Sequence, residues 1–158
     1  MFMQTNEKII EVLNNLVEIN NDRVSGYEKA VEETKDLDID LRAIFQSMAN
    51  DSRKYAAELT QEVNKFGGEA KTDTTTSGKI HRAWMEAKAT FTSNERQSIL
   101  DSCEFGEDTA QKAYGEALAS DAEMSVEVRQ LITGQQATLK VAHNLIKKYR
   151  DLHHAVNA

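Results

Sequence analysis

The stretch Ile39–Phe66, IDLRAIFQSMANDSRKYAAELTQEVNKF, followed by Gly67-Gly68, decides the fold. Leu41, Phe45, Met48, Ser52, Tyr55, Leu59 and Val63 recur in steps of three and four. All but Ser52 are apolar or aromatic, and the spacing is that of a helix burying one face. Nothing inside the stretch breaks a helix. The glycine pair after it supplies the left-handed residue at which helices commonly end.

The same period continues upstream. A helix is predicted over about 6–34, with Thr5 as N-cap and Ile9, Leu13, Leu16, Val24, Tyr27 and Val31 inward. Asn20 falls on that stripe. About 29 residues at 1.5 Å each make a rod of roughly 43 Å. The link Lys35-Asp36-Leu37-Asp38 is short enough to make the first two helices antiparallel neighbours.

Downstream, Glu69–Ser77 (EAKTDTTTS) is polar and reads as irregular. A short amphipathic helix is predicted over about 78–89, with Ile80, Ala83, Trp84 and Ala87 on one side. Thr92-Ser93-Asn94-Glu95 reads as a capping box opening a third helix over 93–119. Its inward positions are Ile99, Cys103, Glu107, Ala110, Tyr114 and Ala117. Ser120-Asp121-Ala122-Glu123 reads as a second capping box, opening a fourth helix over 121–152. There Val128, Leu131, Gln135, Leu139, Ala142, Ile146 and Tyr149 point inward.

Composition agrees with helices. The 158 residues include no proline and only 7 glycines, which argues against a many-turned sandwich or barrel. The expectation is an all-α, single-domain chain spanning 1–158. Two short outer links and a middle crossover, 67–92, carrying its own short helix give a four-helix bundle of up-down-down-up order. That is the connectivity of ferritin-like bundles. A weak internal repeat fits two hairpins: Asn20–Val31 (NNDRVSGYEKAV) aligns without gaps to Glu107–Leu118 (EDTAQKAYGEAL), with Tyr27 on Tyr114.

Charge and cysteine content bound the function. With 19 Lys+Arg against 26 Asp+Glu the formal charge is -7, which argues against non-specific nucleic-acid binding. A single cysteine forms no internal disulfide and suits a reducing compartment. No run approaches the ~18 apolar residues of a membrane span, and the N-terminus carries no leader pattern. A cytoplasmic protein is the expectation.

Leu16–Tyr27 (LVEINNDRVSGY), Thr74–Met85 (TTTSGKIHRAWM) and Ser98–Tyr114 (SILDSCEFGEDTAQKAY) resemble an uncharacterised bacterial family of four-helix bundles within the ferritin-like group, catalogued as a domain of unknown function. The resemblance covers nearly the whole chain. It implies a ferritin-like fold and a role in bacterial stress physiology, and carries no established reaction.

The wider group's chemistry can be tested on these residues. Ferritin-like di-iron proteins use one inward Glu on each of two helices and Glu-x-x-His on each of the other two. On helix 1 the matching position is Asn20. On helix 2 the slot reads Ser52-Arg53-Lys54-Tyr55. On helix 4, Gln135 or Gln136 stands where Glu belongs, with Thr138 or Leu139 in place of His. Only Glu107, on helix 3, matches. The usual di-iron site is therefore not expected, and neither metal nor other cofactor is assigned.

Asn20, Ser52, Tyr55, Glu107 and Gln135 form a polar layer on otherwise apolar stripes. It reads as a hydrogen-bonded layer fixing bundle register, with a small-ligand or single-metal pocket as the alternative. Glu107 and His143 are weak metal candidates, with Glu104 or Glu18 as further donors. Without a metal, an inward Glu107 must be protonated, hydrogen-bonded or wet, and Glu107→Gln should leave stability unchanged or slightly raised. Asp101, Glu104 and Asp108 read as a solvated face, and His153-His154 as an adventitious metal binder. Cys103 reads as a small inward hydrophobe. Lys79, Arg82 and Lys88 around Trp84 read as a lid helix anchored by the tryptophan.

These readings converge on a non-enzymatic, stress-related bundle. An oxidoreductase or metal-storage protein with an atypical site, a small-ligand binder and a protein-interaction module are the alternatives. Self-association into a homo-oligomer is compatible with all of them.

Overall fold

The computed structural model describes residues 2–34, 39–72 and 96–157, with side chains described over 6–34, 39–72 and 99–152. Among the described residues four helices carry the fold: α1 Phe2–Glu33, α2 Ile39–Lys65, α3 Arg96–Ala119 and α4 Val126–Asn157. The crossover helix expected over 78–89, its Trp84 and the capping box at Thr92 lie outside the described residues.

Side-chain pairs fix the helix directions. Glu28 on α1 meets Arg53 on α2, while Ile10 lies against Gly68 just past the end of α2, so these helices are antiparallel. Lys8 reaches Asp121, Asn20 reaches Tyr114 and Arg23 reaches Glu107, so α3 also runs against α1. Glu104 pairs with Arg150 and Gln111 with Gln136, so α4 runs against α3. α2 and α3 are therefore parallel, and the order is up-down-down-up as expected.

The end of α2 forms as its sequence requires. Gly67 has φ 83°, and the Gly67 and Gly68 amides donate to the carbonyls of Asn64 and Val63, both at 3.0 Å. These are the two bonds of a glycine C-cap. Gly68 also has to be small, because a Cβ there would lie 2.8 Å from Ile10 Cγ2. The chain is then clamped to α1. Asn14 Nδ2 donates to the Glu69 carbonyl and Asn14 Oδ1 accepts from the Lys71 amide, each at 2.9 Å. The start of the crossover is tied to the side of the bundle.

Two expected helix starts are corrected. α1 begins at Phe2, so Thr5 lies inside it and is not its N-cap. α4 begins at Val126 rather than 121, and its cap is Ser125, whose Oγ accepts from the Val128 amide at 3.2 Å. Ser120 belongs to the end of α3 instead: its hydroxyl donates to the Ala117 carbonyl at 2.8 Å. Ala122 tucks into the core between the two helices, so this turn needs the residues that a capping box at Ser120 would have placed in α4.

The stripes also shift slightly. Val24 is only half-buried, and the inward residue of that turn is Arg23. Ile132 is fully buried where Leu131 is partly so. The core falls into two apolar clusters. One gathers Ile9, Leu13, Leu16, Leu59, Val63, Tyr114, Val128, Ile132 and Leu139. The other gathers Tyr27, Leu41, Phe45, Met48, Ile99, Leu100, Cys103 and Ile146. A polar layer lies between them.

Candidate functional site

Asn20, Arg23, Ser52, Tyr55, Glu107 and Gln135 are all buried. Each comes from the inward stripe of its helix, so helical period brings them to one level of the bundle. They make two hydrogen-bonded chains.

The first crosses all four helices. Asn20 Nδ2 on α1 donates to its own helix at Leu16 O (2.9 Å) and to the Tyr114 hydroxyl on α3 (2.8 Å). Tyr114 donates to Gln135 Oε1 on α4 at 2.7 Å. Gln135 Nε2 reaches the Tyr55 carbonyl on α2 at 3.4 Å and Glu58 Oε1 at 3.3 Å. A change in the register of any helix would break at least one link.

The second chain is charged. Arg23 Nε and Nη2 both lie on Glu107 Oε1, at 2.7 and 2.5 Å, while Nη1 donates to the Ser52 hydroxyl. The side chains of this pair are 1% and 0% exposed. The guanidinium carbon lies 5.3 Å from the centroid of the Tyr27 ring, which in turn packs on Phe45. Burial alone would lower the Arg23 pKa. The charge and hydrogen bond of Glu107, with smaller contributions from Tyr27 and Tyr114, together outweigh that, and the guanidinium is held above its ordinary value.

The internal repeat has a structural meaning. Asn20 corresponds to Glu107 and Tyr27 to Tyr114. Asn20 bonds Tyr114 across the bundle. At the corresponding pair, burial first and then the Glu107 charge raise the Tyr27 pKa. Arg23 breaks the symmetry: its counterpart in the alignment is the small, fully buried Ala110.

Sequence reasoning placed Asn20, Ser52, Tyr55, Glu107 and Gln135 together and missed Arg23. The weak metal candidates Glu107 and His143 are not brought together. His143 Nε2 pairs with Asp108, one residue further along α3, and Glu104 lies beside them. The solvated face assigned to Asp101, Glu104 and Asp108 is partly paired, since Glu104 also meets Arg150. Glu18 is half-buried on α1 and is not a member of that cluster. The side chains of His153 and His154 lie outside the described residues.

Cys103 is buried beside the charged pair. Burial first, then the Glu107 charge, pushes its thiol well above the ordinary 9.0, with Arg23 opposing in part. Tyr27 is raised well above 10.0 by the same two causes. Both groups thus stay protonated when folded at pH values where the unfolded chain ionises. Above that point the unfolded state binds fewer protons, so stability falls as pH rises. This contribution is intact below about pH 9 and is lost progressively above it, first through Cys103 and then through the phenols. In urea melts, Cys103→Ala is expected to lose less stability than wild type between about pH 7 and about pH 9.5. Equal losses in the two proteins would refute this account.

The layer does not fit the two metal ions of a ferritin-like centre. Such a centre needs several carboxylates to neutralise two cations. Here Glu107 is the carboxylate at the centre, and a guanidinium that cannot be deprotonated already lies on it. Asn20, Ser52 and Gln135 supply no charge and no imidazole.

No curated protein matches this chain in sequence. Among solved structures, a mutant of Mycobacterium smegmatis Dps1 shares the fold at a TM-score of 0.77 with 10% identity, over 93% of this chain and 97% of that one. That likeness establishes a ferritin-like bundle and nothing further. The family described as a domain of unknown function, DUF2383, matches residues 8–120, most of the chain. By that match, this four-helix bundle belongs to the DUF2383 family.

Proposed function

We propose that this chain is a non-catalytic ferritin-like bundle of bacterial stress physiology, whose central layer holds the helices in register rather than handling metal. The observation that carries the reading is Arg23, a fixed cation bonded to Glu107 where ferritin-like proteins hold metal. The remaining polar groups of the layer bond mainly to one another, with Asn20 Oδ1 and Glu107 Oε2 left without a hydrogen-bond partner among the described residues. No helix among the described residues is long and apolar enough to cross a membrane, which supports a cytoplasmic setting for this reading. The net charge of -7 disfavours a nucleic-acid partner. The activity then resides in outer helix faces that engage another protein or a further copy of the chain.

Elemental analysis tests the core. Protein purified without chelator is expected to hold fewer than two iron or manganese ions per chain and to show no ferroxidase activity. Two ions per chain, lost in Glu107→Gln, would overturn the reading.

A further inference from the structure

We propose that Glu104, Asp108 and His143 form a binding site for one divalent transition-metal ion on the outer seam between α3 and α4. The three donors come from two helices. Glu104 and Asp108 stand four residues apart on α3, so helical period puts them on one side, one turn apart. His143 comes from α4, which runs antiparallel alongside. One ligand atom from each lies within 4.8 Å of the other two. Two donors about 2.1 Å from a shared ion in tetrahedral geometry stand about 3.4 Å apart, so small rotamer changes close the set.

The chemistry selects the ion. One imidazole with two carboxylates suits zinc, manganese or ferrous iron, and leaves open coordination positions for water. Calcium and magnesium prefer all-oxygen sets. The imidazole is already oriented: Nε2 faces Asp108, and Nδ1 lies 3.4 Å from Asn144 Oδ1. The side chains of Glu104 and His143 are 13% and 20% exposed, so two of the three ligands are sheltered while Asp108 opens to solvent.

Arg150 sets the strength of the site. Its guanidinium pairs with Glu104 and also reaches Asp151. An incoming cation has to share Glu104 with it or displace it. Arg150 thus opposes metal entry, which a site for permanent occupancy would avoid, and the seam is suited to reversible binding that tightens α3 against α4.

Calorimetric titration of chelator-treated full-length protein with zinc, and separately with manganese and magnesium, tests the proposal. It is run in a His153→Gln/His154→Gln background, so that the terminal histidine pair contributes nothing. One zinc or manganese ion per chain should bind in preference to magnesium. His143→Gln and Asp108→Asn should each weaken binding about tenfold or more. Arg150→Met should strengthen it severalfold, and Glu107→Gln should leave the stoichiometry unchanged. Circular dichroism confirms that each variant is folded. Absence of binding in this background, indifference to His143→Gln, or no gain from Arg150→Met would overturn the site. Two ions per chain that depend on Glu107 would instead contradict the reading of the core.

Discussion

Replacing Glu107 by glutamine is expected to destabilise the bundle by about 3–5 kcal/mol. Without a partner in view, the same change at an inward glutamate should be neutral or helpful. The structure reverses that expectation because Arg23 and Glu107 are buried together. Glutamine keeps the shape and an acceptor oxygen, but it removes the charge that compensates the guanidinium. Arginine cannot shed its proton, so the variant leaves an isolated cation between two apolar clusters. For a chain of this length the loss corresponds to a fall of roughly 10 °C in melting temperature. Removing both charges should behave differently. Arg23→Met with Glu107→Leu replaces the pair by apolar side chains, and such exchanges are often neutral or stabilising. Urea melts of the single and double variants separate the cases. Wild-type stability in Glu107→Gln would show that Arg23 finds its compensation elsewhere. Any shift that chelator causes should be the same in wild type and Glu107→Gln, since this account contains no metal in the core.

The helix pattern was legible because each helix buries a single stripe, and period alone locates it. Leu41, Phe45, Met48, Ser52, Tyr55, Leu59 and Val63 are all buried as read. Gly67 was legible because a positive φ favours one residue type. The polar layer was legible as a set of interruptions in those stripes. Arg23 was not, although Leu16, Asn20, Arg23 and Tyr27 keep steps of four, three and four. A hydropathy pattern assigns arginine to solvent, so the neighbouring Val24 took its place. What makes its burial tolerable is a carboxylate 84 residues away, and no local rule sees that. A usable signal did exist: an inward Glu107 demands a cation on a facing stripe, and position 23 offered one. The start of α4 was missed for a related reason. Ser120-Asp121-Ala122-Glu123 and Ser125 both look like caps locally, and the burial of Ala122 in the turn decides between them.

Tyr114→Phe is expected to cost about 1–3 kcal/mol, although it removes one oxygen atom and leaves the ring in place. That hydroxyl accepts from Asn20 and donates to Gln135, at 2.8 and 2.7 Å. Asn20 Nδ2 keeps its bond to Leu16 O, but Gln135 Oε1 loses its donor in a buried site. The link from α1 through α3 to α4 is then cut at its middle. Tyr149→Phe, at a half-buried position on α4, is the control and should stay within about 0.5 kcal/mol of wild type. An equally small effect of Tyr114→Phe would mean that this chain does not hold register. Combining Tyr114→Phe with Glu107→Gln asks whether the layer acts as one unit. Asn20 and Arg23 leave α1 one turn apart, so loosening either chain shifts the anchor of the other. The combined loss is therefore expected to fall short of the sum of the single losses. A sum that holds within about 0.5 kcal/mol would make the two chains independent, each fixing the helices it touches.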